Sequence, residues 1–415
     1  MDKLRAIVQK ILKNNFYAIS LYARQIAGTL VLFLIARYLT VYDYGLFTSY
    51  KTLSVFILVL ANMGYESYIL VSSQNNVVKV KQKIALFMLN AITIVALVLL
   101  GLPFSFVGVK LLFALVFIRT FLDGTFFALV LPYFQASRKL KIISIINIIY
   151  AIAIMGIAIL SYLFKLSIIK FLLLNILLGI INFIQCSIYS KIPYLQILKH
   201  LKLSIKLLDK SLLSYMLINI CFILYSQIQG VFVSTQVNKE LAALYFAANT
   251  IACIVMLLIG AQTQKLMPEF IDIKQDMAEK FLKNEVKKMN YITFSILAFF
   301  IVAGKFVLTL LYGQKIYANA YFILLILSTA NIFYGMGKIY ITYIMAKNNT
   351  NIILKMQVVS IVISIVVLGI THKYGIYSAA LAYFLSAVYI GIAYMQTTKQ
   401  LLKNNIKENL WNSKN

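Results

Sequence analysis

The stretch Ile142–Phe164, IISIINIIYAIAIMGIAILSYLF, contains no charged side chain. About 20 apolar residues in a helix cross the hydrocarbon core of a bilayer, so this stretch predicts a transmembrane helix. The whole chain has the same character, because its 415 residues are 62% hydrophobic and only 12% charged. Soluble domains are about 45–50% apolar and about 25% charged. The sequence therefore predicts an all-α polytopic membrane protein.

Other stretches match this one in length and apolarity, which gives about twelve predicted transmembrane helices. The predicted spans are Phe16–Ala36, Tyr44–Val71, Ile84–Leu102, Val109–Leu131, Ile142–Phe164, Phe171–Ser190, Ser211–Gln236, Leu241–Leu266, Tyr291–Tyr312, Ala318–Ala346, Ile352–Thr371 and Gly375–Thr398.

Local features add detail to these spans. Gly335 and Gly337 in span ten predict close helix packing or a hinge. Hydrophobic residues near helical spacing among charges in Pro268–Lys288, and again in Tyr194–Ile205, predict helices that lie in the membrane interface. The prolines fall at the edges of apolar runs and predict loops there. They are Pro103, Pro132, Pro193 and Pro268.

The distribution of basic residues predicts the orientation. Lysines and arginines outside the spans lie mostly on the side of the amino terminus, which is typical of loops that remain in the cytoplasm. Both termini are therefore predicted to be cytoplasmic, and the first apolar stretch, which lacks a small-residue cleavage site, is predicted to be an uncleaved helix. The net charge of +27 does not indicate nucleic-acid binding, because the basic residues are spread over short loops. The three cysteines and two histidines lack the spacing of a disulfide framework or a metal site.

Two pairs of similar segments indicate an internal repeat. Tyr133–Ser144 resembles Tyr343–Leu354, and Tyr42–Thr48 resembles Lys239–Tyr245. Six spans separate the members of each pair, so we predict two parallel six-helix lobes around a central cavity. Chance similarity in an isoleucine-rich chain is the alternative. The predicted domains are an N-terminal lobe (1–190), a cytoplasmic linker (191–210), a C-terminal lobe (211–398) and a cytoplasmic tail (399–415).

Charged side chains inside the predicted spans are the main indication of function. Charge in hydrocarbon is costly unless it faces a protein interior or a wet cavity, and the excess here is positive. The hypothesis is a cationic cavity that binds an anionic substrate. The candidate substrate-binding residues are Arg24, Lys51, Arg119, Lys305 and Lys338, and the candidate ion-coupling or pairing residues are Asp123 and Glu66.

Each candidate also has a purely structural interpretation. Arg119 and Asp123 are four residues apart on one helix face and are predicted to pair. The pair either packs helices together, or Arg119 exchanges its carboxylate for a substrate phosphate while Asp123 takes a proton or an ion. Arg24 lies about 12 Å into the membrane, which favours the cavity. The lysines can instead reach the headgroups along their stems, and Glu66 can be a solvated carboxylate at a helix end.

Four segments resemble the Wzx-type oligosaccharide-lipid flippases of the MOP superfamily, whose relatives include the MATE multidrug exporters and the lipid II flippases. They are ARYLTVYDYGLF at Ala36–Phe47, LANMGYES at Leu60–Ser67, LLYG at Leu310–Gly313 and KYGIYSAALA at Lys373–Ala382. The resemblance covers nearly the whole chain through the order and spacing of these segments. It implies an O-antigen type polysaccharide flippase of the bacterial cytoplasmic (inner) membrane, which moves an undecaprenyl-pyrophosphate-linked oligosaccharide from the inner to the outer leaflet by alternating access.

The resemblance implies the partners as well: the undecaprenyl-pyrophosphate-linked glycan, membrane lipids and polysaccharide assembly proteins. No cofactor is expected, and energy would come from a proton or sodium gradient or from consumption of the product outside. The sequence has no GxxxxGK[ST] motif, so direct use of ATP is not expected.

Two other functions stay open. A MATE-like small-molecule exporter is the alternative transporter, although the first span lacks the bending proline that those exporters often have, and the spans carry cations where a cation exporter would need carboxylates. A membrane glycan polymerase or ligase is the alternative enzyme. Such enzymes usually carry a large outer loop, whereas every outer connection predicted here is short, so we expect a transporter rather than an enzyme.

Overall fold

The computed structural model describes residues 2–62, 69, 76–100, 107–192, 211–273, 275–346 and 350–412, and all regular secondary structure in these residues is helical. The helices of the first half are α1 (Asp2–Tyr38), α2 (Val41–Asn62), α3 (Val77–Leu100), α4 (Val107–Thr120), a π-helix (Phe121–Phe126), α5 (Phe127–Ala136), α6 (Leu140–Leu163) and α7 (Ile168–Ser190). Those of the second half are α8 (Ser211–Gln236), α9 (Lys239–Asp272), α10 (Gln275–Tyr312), a 3-10 helix (Lys315–Ala320), α11 (Tyr321–Ala346), α12 (Thr350–Thr371), a 3-10 helix (His372–Tyr374) and α13 (Ile376–Asn412).

The helices expose apolar side chains over much of their length. Val302 is 89% exposed, Leu100 77% and Ile370 75%, and a contiguous apolar surface of this kind is covered by lipid in a membrane protein. Among the described residues, eleven helical stretches are long and apolar enough to cross a membrane. Each predicted span overlaps helical structure in the described residues. The second, Tyr44–Val71, is described as a helix as far as Asn62, the third, Ile84–Leu102, as far as Leu100, and the fourth, Val109–Leu131, covers α4, the π-helix and part of α5. The prediction of an all-α polytopic membrane protein is confirmed.

The chain divides into two compact units, Met1–Ile220 and Cys221–Asn415, with the boundary inside α8. In the first unit, aromatic side chains of α3, α4 and α5 form the centre of the core, with Phe87, Phe117 and Phe134 all buried. In the second unit, α11 is buried along most of its length between its neighbours. The finer division into lobes, linker and tail stays a prediction.

Helix boundaries agree with the predicted repeat. The helix before the first repeat turn ends at Ala136 and the next begins at Leu140, while at the second turn the corresponding positions are Ala346 and Thr350. Just before the other pair of segments, the hydroxyl of Thr40 caps α2 and the side-chain oxygen of Asn238 caps α9. Each cap satisfies a backbone N–H that the first helical turn leaves without a partner.

Glycine allows helices of the second unit to approach each other closely. A Cβ on Gly391 of α13 would lie 2.5 Å from the carbonyl oxygen of Phe333, and a Cβ on Gly337 of α11 would lie 3.1 Å from the Cα of Gly391. Gly335 packs against the side chain of Ile259. The close-packing interpretation of the two glycines in span ten is therefore confirmed, because a Cβ at either position would press on a neighbouring helix.

Two local predictions are wrong. Pro132 lies within α5 and Pro268 within α9 rather than in loops, because a spanning helix tolerates proline when its neighbours satisfy the freed backbone groups. Nor does Pro268–Lys288 form a separate interfacial helix. Instead α9 continues to Asp272, and α10 runs unbroken from Gln275 into the membrane span, since it contains no glycine or proline before Gly304. Pro103, Pro193 and Tyr194–Ile205 lie outside the described residues.

Candidate functional site

Arg24 of α1 sits among aromatic rings and neutral oxygen atoms. Its guanidinium carbon lies 3.9 Å from the ring centroid of Phe127 and 4.1 Å from that of Tyr150. One terminal nitrogen donates to Asn147 Oδ1 at 3.2 Å, and the other donates to the backbone carbonyl oxygen of Asp123 at 3.2 Å. Within the described part of the chain, Arg24 therefore hydrogen-bonds to neutral acceptors, and the faces of two aromatic rings also stabilise its charge.

Arg119 and Asp123 form the predicted ion pair. Arg119 Nε lies 3.4 Å from Asp123 Oδ2, and the hydroxyl of Tyr150 donates to Oδ1 of the same carboxylate. The guanidinium of Arg119 also lies 5.4 Å from the ring centroid of Phe171. The Arg119 side chain is 9% exposed and that of Asp123 25%, so the carboxylate is the more open side of the pair. The prediction of pairing is confirmed.

These contacts join two cations to one anion. We call Arg24, Arg119, Asp123, Asn147 and Tyr150 the arginine cluster. The backbone oxygen of Asp123 accepts a hydrogen bond from Arg24, and its carboxylate forms an ion pair with Arg119. The cluster therefore keeps an excess of one positive charge, which in a membrane interior favours the approach of an anion.

A wide helical turn positions Asp123 for both contacts. Residues Phe121–Phe126 form a π-helix between α4 and α5, and such turns widen a helix and occur often at functional sites. Gly124 inside this turn is exposed, and a Cβ built on it would meet nothing within 4 Å. In this turn the Asp123 carbonyl oxygen accepts a hydrogen bond from Arg24, and there is open space at Gly124.

Two residues of the arginine cluster are missing from the sequence predictions. Asn147 and Tyr150 lie three residues apart on one face of α6, and both are buried against α1. They belong to the stretch IISIINIIYAIAIMGIAILSYLF, where an asparagine and a tyrosine at helical spacing near the middle of the span were the available signal. The available sequence signal for the π-helix was weaker: a glycine that directly follows an aspartate inside a predicted span.

Lys338 of α11 occupies a small cavity in the second unit. Its Nζ lies 5.0 Å from the ring centroid of Phe222. The cavity has a volume of about 10 Å³, which is room for about one water molecule. Among the described residues, no acidic side chain pairs with Lys338. The other lining residues are Tyr225, Tyr334, Ile341, Gln357, Ile390 and Tyr394.

The structure does not bring the remaining candidates into the arginine cluster. Lys51 is half-buried in α2. Lys305 of α10 is exposed, with its Nζ 5.4 Å from the ring centroid of Tyr321, which fits a lysine that reaches towards headgroups. Glu66 lies outside the described residues. Lys83, which the sequence places in a loop, is buried within α3 instead.

Comparison with known proteins identifies the fold. No protein family model matches the chain, and no curated protein matches it in sequence. The lipid II flippase MurJ, in an inward closed conformation, matches with a TM-score of 0.71 and 17% identity over 92% of this chain and 87% of MurJ. An inward-facing multidrug resistance MATE family transporter of the MOP superfamily matches with a TM-score of 0.67 and 9% identity over 92% of this chain and 96% of that one.

A third structure is a MOP superfamily transporter from Pyrococcus furiosus whose binding pocket is described as having reversed polarity. Its TM-score is 0.63, with 10% identity over 94% of each chain. The present chain therefore has the fold of MOP superfamily transporters.

Proposed function

We propose that this chain, which has the fold of MOP superfamily transporters, is a flippase for an anionic lipid-linked oligosaccharide. It would move an undecaprenyl-pyrophosphate-linked glycan of the O-antigen type from the inner to the outer leaflet of the bacterial cytoplasmic membrane by alternating access. The single observation that carries the proposal is the arginine cluster, in which two arginines contact one aspartate: Arg24 through the backbone oxygen of Asp123 and Arg119 through its carboxylate.

Arg24 is the proposed first contact of the pyrophosphate. Its present acceptors, the Asn147 amide oxygen and the Asp123 carbonyl oxygen, are neutral. A phosphate oxygen is a stronger acceptor because the hydrogen bond is then assisted by charge on both partners. The planar guanidinium also presents two parallel donors, which suits the oxygen spacing of a phosphate better than an ammonium does.

Arg119 is the proposed second contact. Its Nε, although 3.4 Å from Asp123 Oδ2, makes no hydrogen bond among the described residues, so this donor can gain one when an anion arrives. Asp123 would then release Arg119 and take up a proton or an ion, while Tyr150 keeps its hydrogen bond to the carboxylate. Lys51 remains a proposed further contact. The cavity at Lys338 has room for about one water molecule in this conformation, so Lys338 is proposed as a contact only in another conformation of the transport cycle. The exposed Lys305 fits a headgroup contact better.

A small-molecule exporter is the second candidate, and the similarity of the fold to MATE transporters favours it. The two candidates differ in the charge of the cargo. An exporter of organic cations would have to tolerate the excess positive charge of the arginine cluster, whereas an anionic lipid is attracted by it.

The test uses purified protein in proteoliposomes that contain a labelled undecaprenyl-pyrophosphate-linked oligosaccharide. Arg24→Ala and Arg119→Ala should each slow movement of the label between leaflets about tenfold or more, because each removes a hydrogen bond between charged groups. Arg24→Lys should keep part of the rate, since lysine keeps the positive charge but lacks the two parallel donors of the guanidinium.

Lys170→Gln is the matched control, because Lys170 is an exposed cation at the start of α7 in the same unit. It should transport at the parent rate. Unchanged transport in both alanine variants would refute the assigned roles. Movement of a small cationic dye without movement of the labelled lipid would replace the flippase with the exporter.

A further inference from the structure

A groove separate from the arginine cluster lies between α10 and α11. It is lined by Lys283, Val286, Lys287, Asn290, Tyr291, Phe294 and Tyr340. The groove is open to its surroundings and has a volume of about 350 Å³, roughly that of ten water molecules in the liquid. A phosphate headgroup fits in such a volume, whereas the cavity at Lys338 is too small for one.

The lining residues of α10 change in character along one helix face. Lys283, Lys287, Asn290 and Phe294 follow each other at spacings of three and four residues, which places them in one stripe about 16 Å long. The basic end belongs to the charged first turns of α10, and the aromatic end belongs to the apolar stretch that begins at Tyr291. The groove therefore runs from a cationic surface into the membrane.

The charge balance of the basic end is positive. Between Glu279 and Lys288 the helix carries four lysines and two glutamates. Lys283 pairs with Glu279 at 2.7 Å, and Lys288 pairs with Glu285. Lys287 has no acidic partner among the described residues, and its Nζ lies 5.9 Å from the ring centroid of Tyr291.

We propose that this groove binds an anionic phospholipid of the surrounding membrane. The phosphate contacts Lys283 and Lys287 with the Asn290 amide beside it, and the first part of an acyl chain lies along Phe294 and Tyr340. The lysines carry positive charge that attracts the lipid phosphate, and the aromatic rings offer an apolar surface to the acyl chain. Basic residues next to a membrane helix bind anionic lipids in this way. The site is independent of the proposed transport cargo, and its test does not measure transport.

The experiment follows quenching of a tryptophan in the groove by brominated lipids. The chain contains a single tryptophan, Trp411, so the parent for the test is Trp411→Phe with Phe294→Trp as reporter. The protein is reconstituted in phosphatidylcholine vesicles with increasing fractions of brominated phosphatidylglycerol or brominated phosphatidylcholine. We expect phosphatidylglycerol to bind at the reporter about tenfold more strongly than phosphatidylcholine. A second reporter, Tyr291→Trp, should show the same preference.

Charge variants locate the site. Lys287→Gln should reduce the preference about fivefold, and Lys283→Gln with Lys287→Gln should abolish it. Lys280→Gln is the matched control, because it removes the same charge from the same helix about 10 Å further from the apolar stretch. It should keep the preference. Equal quenching by both lipids in the parent, or an equal loss in Lys280→Gln and Lys287→Gln, would overturn the proposal in favour of no site or of a diffuse surface attraction.

Discussion

Asp123 holds its two arginines by different means. The carboxylate pairs directly with Arg119, whereas Arg24 donates a hydrogen bond to the backbone oxygen. A charge buried without compensation destabilises a protein by several kcal/mol, and removal of both charges of a pair is often nearly neutral. The difference allows the structural role of the ion pair to be separated from its role in transport.

Asp123→Asn should lower the free energy of unfolding by about 3–5 kcal/mol, because it leaves the buried Arg119 uncompensated while its amide oxygen still accepts from Tyr150. Adding Arg119→Met should recover most of this loss without recovering transport. Reversible unfolding in mixed detergent micelles measures the first effect, and the proteoliposome assay measures the second.

The exposed pair of Glu279 and Lys283 provides the control for this cycle. Its side chains are 48% and 65% exposed, so Glu279→Gln should change the free energy of unfolding by less than about 1 kcal/mol. If the double variant is no more stable than Asp123→Asn alone, the two charges do not compensate each other. If it transports at the parent rate, the pair only packs helices.

Contacts of the arginine cluster could be predicted from the sequence only between residues that are close along the chain. Arg119 and Asp123 are four residues apart, so helical periodicity alone predicted their contact. Arg24 and Asn147 are 123 residues apart, and their contact depends on how α1 packs against α6, which no local pattern encodes. Local spacing thus predicted the ion pair, and only the fold showed what holds Arg24.

At the scale of elements, the π-helix is the feature that departs most from regular structure. It inserts a wide turn between α4 and α5, whose core residues Phe117 and Phe134 are both fully buried. A wide turn holds one residue more than an α-helical turn, so loss of one residue can restore regular geometry while both flanking helices keep their register.

Deletion of Gly124 should therefore leave a folded protein that no longer transports. The flanking helices keep their buried faces, but the Asp123 carbonyl oxygen returns to the regular hydrogen-bond pattern and leaves Arg24. Thermal unfolding in detergent should shift little, and lipid movement in proteoliposomes should fall to background.

Deletion of Ala153 is the comparison, because Ala153 lies in the regular helix α6. There the loss of one residue rotates the following turns by about 100° and moves apolar side chains off their partners. That variant should be strongly destabilised. Equal destabilisation by the two deletions would contradict the proposed role of the wide turn.

At the scale of the whole molecule, the orientation in the membrane stays a prediction. Basic residues predict that the turn between α5 and α6 is cytoplasmic and that the start of α7 is outside. In intact cells, a membrane-impermeant maleimide should label Lys170→Cys and leave Lys139→Cys unlabelled, since both positions are exposed at helix ends. Labelling of Lys139→Cys alone would reverse the orientation.

Apolar length was sufficient to predict the fold class, because each span satisfies its own backbone hydrogen bonds and needs no distant partner. Apolar length did not predict the helix end where charged residues continue a helix beyond the membrane. The first turns of α10 contain four lysines between Glu279 and Lys288, yet they belong to the same helix as Tyr312. Hydropathy marks the edge of the bilayer, and it does not mark the end of a helix.

The contact of Gly337 with Gly391 has a mechanical consequence. Side chains beside this point also join the two helices, because the Tyr383 hydroxyl of α13 donates to Asn331 Oδ1 of α11 at 2.7 Å. We therefore expect α11 and α13 to move as one rigid pair. A methyl group at Gly391 would meet the Phe333 carbonyl oxygen at 2.5 Å and push the two helices apart, which would strain that hydrogen bond.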